Sequence, residues 1–263
     1  LVRANGEKQV IETGTKLYSG DRVVTAVEQS LRMQFADKSE LQVLPNSIVV
    51  LDKLSHHEHT GMVDTRIRLN SGSVNTRVEK LKPDSRYEIK TPAAVTAVRG
   101  TAYRLSSTSQ ISRTMVTEGN VGVAAGDTEK IVPDGYGIVA EKDKPLPEPV
   151  KLLPPPVLGE NLSQDRSMLK ISWPKLEGAK YYRYQLASDD NFNQVIIDRS
   201  TEDSSIEIND LKPGRYYLLV RGIDQYQLEG LDAVNVYEIQ PAPAEKDNSW
   251  IVPVSVGVLI LIL

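Results

Sequence analysis

Apolar and polar residues alternate with a period of two along most of this chain. The clearest runs are Leu31, Met33 and Phe35; Leu41 and Val43; Ile67 and Leu69; Tyr87 and Ile89; Tyr103 and Leu105; Leu169, Ile171 and Trp173; and Leu218 and Val220. Alternation of this kind puts every second side chain on one face of an extended backbone, as in a half-buried strand. Turn-forming clusters separate the runs, among them Ser19-Gly20-Asp21, Asn70-Ser71-Gly72, Glu118-Gly119-Asn120, Pro133-Asp134-Gly135 and Lys212-Pro213-Gly214. No long segment follows a 3.6-residue period. The pattern therefore predicts an all-β chain in both halves.

Two stretches interrupt the alternation. Residues 145–156 hold six prolines, at 145, 147, 149, 154, 155 and 156, which favour an extended polyproline rod of roughly 3.1 Å per residue. This reads as a semi-rigid spacer between a domain at 1–144 and another at 157–240. A Pro/Ala/charged linker at 241–249 then leads into Trp250 to Leu263, fourteen residues without a charge. A helix of that length is shorter than the ~30 Å hydrocarbon core. The run is uniformly apolar and opens on an interfacial type of residue, so it is expected to be part of a membrane anchor, with the bulk of the chain extracytoplasmic.

Charge sharpens the division. Residues 1–150 carry 20 Lys and Arg against 19 Asp and Glu, whereas residues 151–263 carry 11 against 16. The chain has no cysteine, which excludes disulfides, thiolate metal sites and a cysteine nucleophile. Its three histidines, His56, His57 and His59, sit in one short window with Glu58. They are weak candidates for a metal, because adjacent strand residues face opposite ways and no second ligand cluster has a known spacing. An exposed loop tip is the expectation. No nucleophile elbow, phosphate loop or dinucleotide fingerprint occurs, so neither an enzyme nor a bound cofactor is expected.

The densest motif is Thr91-Pro92-Ala93-Ala94, continuing through Val98 to Arg99-Gly100-Thr101. It reads as strand, corner, strand, then a bulge or close backbone approach at Gly100. Upstream lie Gly20-Asp21 and the Asp37-Lys38-Ser39-Glu40-Leu41 hairpin; downstream lies Glu118-Gly119-Asn120-Val121. In this order the motifs resemble the FecR domain family over about residues 1–140. The resemblance implies a twisted, solenoid-like stack of short strands in an extracytoplasmic sensor or envelope protein. Thr91, Pro92, Arg99, Gly100 and Thr101 would then be family motif residues that shape strand corners.

Residues 65–113 hold ten basic residues against three acidic ones. Arg66, Arg68, Arg77, Lys80, Lys82 and Arg86 are the candidate face for an anionic partner such as a peptidoglycan-like polymer. Arg66/Arg68 and Lys80/Lys82 would each share a face in a regular strand. Aromatic residues for base stacking are sparse there, so nucleic acid is not expected.

The second half carries Leu169-Lys-Ile171-Ser-Trp173, Gly178-Ala179-Lys-Tyr181, Asp189-Asp-Asn-Phe192 and Leu211-Lys-Pro213-Gly214-Arg-Tyr216 through Val220-Arg221. It is similar to a bacterial fibronectin type III domain, which implies a seven-stranded β-sandwich with Trp173 in its core. Tyr182 and Tyr226 are weaker candidates for a sugar-stacking surface. Three functions follow. The leading one is a non-catalytic, membrane-tethered binding or scaffold module for an envelope protein or polymer, with homo-oligomers possible. The others are a transmembrane signalling regulator of the iron-dicitrate sensor type, and a structural subunit of a large envelope assembly.

Overall fold

The computed structural model describes residues 1–240, apart from 58, 99, 164 and 166. The linker at 241–249, the apolar run at 250–263 and Arg99 therefore lie outside the described residues. Within them the chain is all β, and no helix is long and apolar enough to cross a membrane.

The first unit contains thirteen strands: β1 (Arg22–Val24), β2 (Leu31–Gln34), β3 (Glu40–Val43), β4 (Ile48–His57), β5 (Met62–Val78), β6 (Arg86–Lys90), β7 (Val95–Val98), β8 (Thr101–Ser107), β9 (Ile111–Glu118), β10 (Asn120–Ala125), β11 (Thr128–Pro133), β12 (Tyr136–Glu141) and β13 (Val150–Lys151). The long β5 joins two curled sheets. Its first half pairs with β4 and β6, and its second half pairs with β3 and β8. The first sheet runs β1-β4-β5-β6-β7-β10-β11 and the second β2-β3-β5-β8-β9-β12-β13. The crossing point is Gly72, with φ of 98°. A Cβ there would fall 2.2 Å from Ser47 Oγ and 2.4 Å from Ser47 Cα. Glycine is thus needed both for the left-handed backbone and for the close approach.

The alternating positions of the sequence meet between the two sheets. Leu41, Val49, Leu51, Ile67, Leu69, Ile89, Leu105 and Val121 are buried in one core. At ~1.5–3 kcal/mol for each large apolar side chain, this burial is the main drive for the unit. Tyr87 and Tyr103 are also fully inside. Their hydroxyls meet Thr76 Oγ1 at 3.1 Å and Thr96 Oγ1 at 3.3 Å, so the core holds no orphaned phenol. Burial pushes both phenols above their ordinary pKa.

The proline-rich segment is extended, but it is not a free spacer. Val150–Lys151 adds as β13 to the edge of β12. Leu146 enters the first core, and Leu152 packs with Met115 and Leu228. The apolar side chains between the prolines hold the rod against the protein.

The second unit has six strands: β14 (Leu169–Ser172), β15 (Tyr181–Ala187), β16 (Val195–Thr201), β17 (Ser205–Ile208), β18 (Gly214–Ile223) and β19 (Ala233–Ile239). They form a two-stranded β14-β17 sheet and a four-stranded β16-β15-β18-β19 sheet. The seventh strand expected from the resemblance is missing among the described residues. In its place residues 159–162 run beside β14, with Gly159 N–H donating to Ser172 O and Leu162 N–H to Lys170 O. The Asn161 side chain accepts the Lys170 N–H, substituting for a ladder bond. Trp173 and Tyr182 pack edge-to-face in the core, 5.2 Å between centroids. Tyr216, Leu218 and Val220 point inward as the alternation predicts. The Tyr216 hydroxyl donates to Lys212 O at 2.9 Å, closing the turn before β18.

Gly72→Ala is expected to lower stability by about 2–5 kcal/mol, from the clash with Ser47 plus backbone strain. Gly126→Ala, where φ is also positive but no atom lies within 4 Å, should cost about 1 kcal/mol. Urea unfolding of the two variants measures the difference.

Candidate functional site

Among the family-like motif residues, Thr91, Pro92, Gly100 and Thr101 lie at corners of the strands. Thr91 closes the turn between β6 and β7. Its N–H and Oγ1–H both donate to Ala94 O, at 2.8 and 2.9 Å. Its Oγ1 accepts from Ala94 N–H and from Ser112 Oγ. Pro92 sits exposed at the bend. Gly100, with φ of 108°, brings the backbone against Lys80, where a Cβ would lie 3.1 Å from Lys80 Cα. Thr101 then opens β8, and the pairing with β9 slips at Ala102/Tyr103. The hairpin serine has a role of its own. Ser39 donates from N–H and Oγ to Asp37, and its Oγ accepts the Glu79 N–H at 3.0 Å. One hydroxyl thus ties the β2–β3 hairpin to the end of β5.

The structure does not gather the six candidate basic residues into one face. Arg66 and Arg68 share the outer surface of β5, and Arg86 lies beside them on β6. Arg77 sits on the far side of the Gly72 crossing, in the half of β5 that belongs to the second sheet. Lys80 and Lys82 fall in the loop after β5, so the strand-face spacing read for them does not apply. Lys82 Nζ donates to Thr60 O at 2.7 Å. The arginines are paired: Arg66 with Asp64 at 2.9 Å, Arg68 with Asp52, Arg77 with Glu118 at 3.0 Å and Arg86 with Glu88 at 3.3 Å. Burial works against ionisation of Asp64, but bonds from Lys53 and Arg66 outweigh it and keep its carboxyl below the usual range. The excess of cations along the sequence becomes a lattice of alternating charge in three dimensions.

His56 and His57 end β4 and His59 lies in the following turn, all exposed. No group of three metal-binding side chains exists among the described residues. Asp189 caps its own loop: its carboxylate accepts the N–H groups of Asn191, Asn193 and Gln194. Tyr182 is buried and so cannot stack on a sugar, while Tyr226 is half exposed.

The densest chemistry is one that the sequence did not single out as a site, at the seam between the two units. Arg104, on the outer face of β8, is 6% exposed. Its Nη1 donates to Gly230 O at 2.9 Å, and its guanidinium lies 3.5 Å from Glu229 and 3.4 Å from Asp232. Arg221 on β18 is 4% exposed; it contacts Glu229 at 2.5 Å and Asp232 at 2.7 Å. Arg183 on β15 bonds Glu229 at 2.8 Å and grips Asp198 with both ends of its fork. Glu229 therefore faces three guanidinium groups. Burial opposes its charge, yet Arg221, Arg183 and Arg104 together hold its carboxyl far below the usual range. Burial, aided by the neighbouring Arg221, lowers Arg104 to about 10. Two flanking contacts complete the seam: Arg113 Nε donates to Tyr226 O at 2.8 Å, and Arg32 Nη2 to Asn191 O at 3.1 Å.

Arg104 and Arg113 belonged to the basic stretch in the sequence; the structure withdraws both from a free surface. The signal for Arg104 and Arg221 was present as a lone cation inside an apolar strand, Tyr103-Arg104-Leu105 and Leu219-Val220-Arg221. Such a residue needs a buried partner. The partners, Glu229 and Asp232, come from a loop whose position no local pattern gives.

Residues 21–122 match the family model described as FecR protein. The matched segment spans β1 to the first half of β10, and the outer strands β11 to β13 pack on the same two sheets. No curated protein matches the chain. Among solved structures, a candidate anti-sigma factor from Parabacteroides distasonis aligns with 50% of this chain at 10% identity and a TM-score of 0.41, and the match spans 58% of that protein. FN3tt aligns over 98% of its length with 35% of this chain, at 19% identity and a TM-score of 0.30. The extracellular domain of a candidate hybrid two-component system, BT4673 from B. thetaiotaomicron, covers 80% of this chain and 37% of its own, at 10% identity and a TM-score of 0.25. At these scores the similarities carry no argument about function.

Glu229→Gln should lower stability at pH 7 by about 2–4 kcal/mol, somewhat under the cost for fully buried pairs because 19% of its side-chain surface remains accessible. A depressed folded pKa gives stability that is present above the unfolded value of about 4.3 and is lost as pH falls below it. The wild-type urea midpoint should therefore drop between about pH 5 and pH 3, and the drop should be smaller in Glu229→Gln.

Proposed function

We propose that this protein is a non-catalytic, extracytoplasmic binding module of the cell envelope, and that its partner is another protein rather than a polyanionic polymer. The observation that carries this reading is the pairing of the outer cations. Each of Arg66, Arg68, Arg77 and Arg86 already has a carboxylate partner. A surface of alternating charge suits complementary contacts with another folded surface, where it gives specificity and register. It is a poor match for a repeating anionic polymer, which favours unneutralised cations. The FecR match over residues 21–122 supports the envelope setting, and the second β unit, fixed to the first by the seam, extends the binding body. Tethering through residues 250–263 is part of this reading.

The alternative regulator reading shares the same binding body and adds transmission of the signal across the membrane. It is favoured if the partner alters an intracellular response when only the extracytoplasmic chain is changed.

Co-sedimentation with purified peptidoglycan at rising salt tests the choice of partner. The expected outcome is weak retention that does not change when Arg66, Arg68, Lys80 and Lys82 are replaced together by Glu. Strong, salt-sensitive retention that the fourfold replacement abolishes would sink the protein-partner reading.

A further inference from the structure

A cleft of about 260 Å³ lies along the seam. One wall is the outer face of the second sheet of the first unit and the other is the β15–β18 face of the second unit. Arg32, Arg77, Arg104 and Arg221 line it, against only Glu40 and Asp232 among acidic residues. The amide side chains of Gln42, Asn75 and Gln185 line it as well. The lining is thus rich in hydrogen-bond donors and short of negative charge.

The buried end of this cleft is not fully satisfied. Arg104 Nη2 and Arg221 Nε are both buried without a hydrogen-bond partner. Both lie near the same oxygen, Asp232 Oδ1, at 3.4 and 2.7 Å, and neither is aligned to donate to it. Glu229 cannot make up the deficit, because Arg183 also draws on it. Two guanidinium donors without an aligned acceptor in a low-dielectric setting carry a desolvation cost that a further, well-placed anionic acceptor would relieve.

We propose that the seam cleft binds a small oxyanion, a carboxylate or phosphate group, with Arg104 and Arg221 as its buried donors and the exposed Arg77, whose solvent-screened pair with Glu118 it would share, at its mouth. Forked guanidinium donors match the planar or tetrahedral oxygens of such groups. The volume holds on the order of eight water molecules at about 30 Å³ each, enough for a compact anionic ligand and too little for a folded domain. Because the ligand would touch both units, its binding would also clamp the seam. The proposal goes beyond the protein partner argued above and does not depend on it.

The test is titration of the full chain with sodium phosphate and, separately, with sodium succinate. Ionic strength is held constant with sodium chloride, and the arginine Nε–Hε signals are followed by NMR. Saturable shifts at Arg104 and Arg221 with either anion are expected. Saturation with phosphate alone assigns a phosphoryl ligand, and saturation with succinate alone assigns a carboxylate. Arg77→Gln, at a side chain 63% exposed and outside both cores, should weaken binding at least tenfold without altering the fold. Arg104→Lys, which keeps the charge but loses Nη2, should weaken it likewise. Shifts that never saturate, or equal affinity in wild type and Arg77→Gln, would overturn the proposal even if Arg104→Lys proved unstable.

Discussion

Burial of the Arg104 guanidinium is the constraint on which the arrangement of the two β units depends. An ionised side chain withdrawn from water costs several kcal/mol unless opposite charge and hydrogen bonds surround it. Arg104 projects from the first unit, but every partner it has, Gly230 O, Glu229 and Asp232, belongs to the second unit. Separating the units would strip Arg104 of all these partners, while Arg183 and Arg221 would keep the carboxylates of their own unit. The same cluster that is costly to assemble is therefore costly to open, and it ties two independently packed cores into one body.

Apolar contacts reinforce that polar knot. Met115 of β9, Leu152 of the proline-rich segment and Leu228 of the second unit form a small shared core. Gly230 lets Leu153 pass closely, since a Cβ there would lie 2.7 Å from the Leu153 carbonyl oxygen. The prolines keep this connecting segment extended, and its leucines decide where it lies. The connection acts as a strap between the units. For a binding module this matters: a partner that touches both units meets a preformed surface and loses less entropy on docking than it would against two loosely linked domains.

Much of this was legible in the sequence, and the limits have a physical cause. Period-two alternation marked core positions such as Leu41 and Val43, Ile67 and Leu69, and Leu218 and Val220, because burial of one face is a local property of a strand; it did not mark Val49, Leu51 or Val121, which are equally buried. The corner at Thr91-Pro92 and the close approach at Gly100 were also local, set by a missing N–H and a missing Cβ. What the sequence misplaced was long-range. The basic run at 65–113 looked like one face, but strand pairing brought Asp52 to Arg68 and Glu118 to Arg77 from sixteen and forty-one residues away. The seam was invisible for the same reason: Arg104 and Gly230 are 126 residues apart. Only the presence of an arginine in an otherwise apolar strand hinted that a buried counter-charge existed.

The central claim is that the guanidinium–carboxylate seam makes the two units a single rigid body. Residual dipolar couplings from backbone amides of residues 22–141 and 169–239 in one aligned sample test it most directly. The account predicts that one alignment tensor fits both sets, with the orientation of the structure described here. Two tensors of clearly different magnitude would show that the units move independently, and would contradict it.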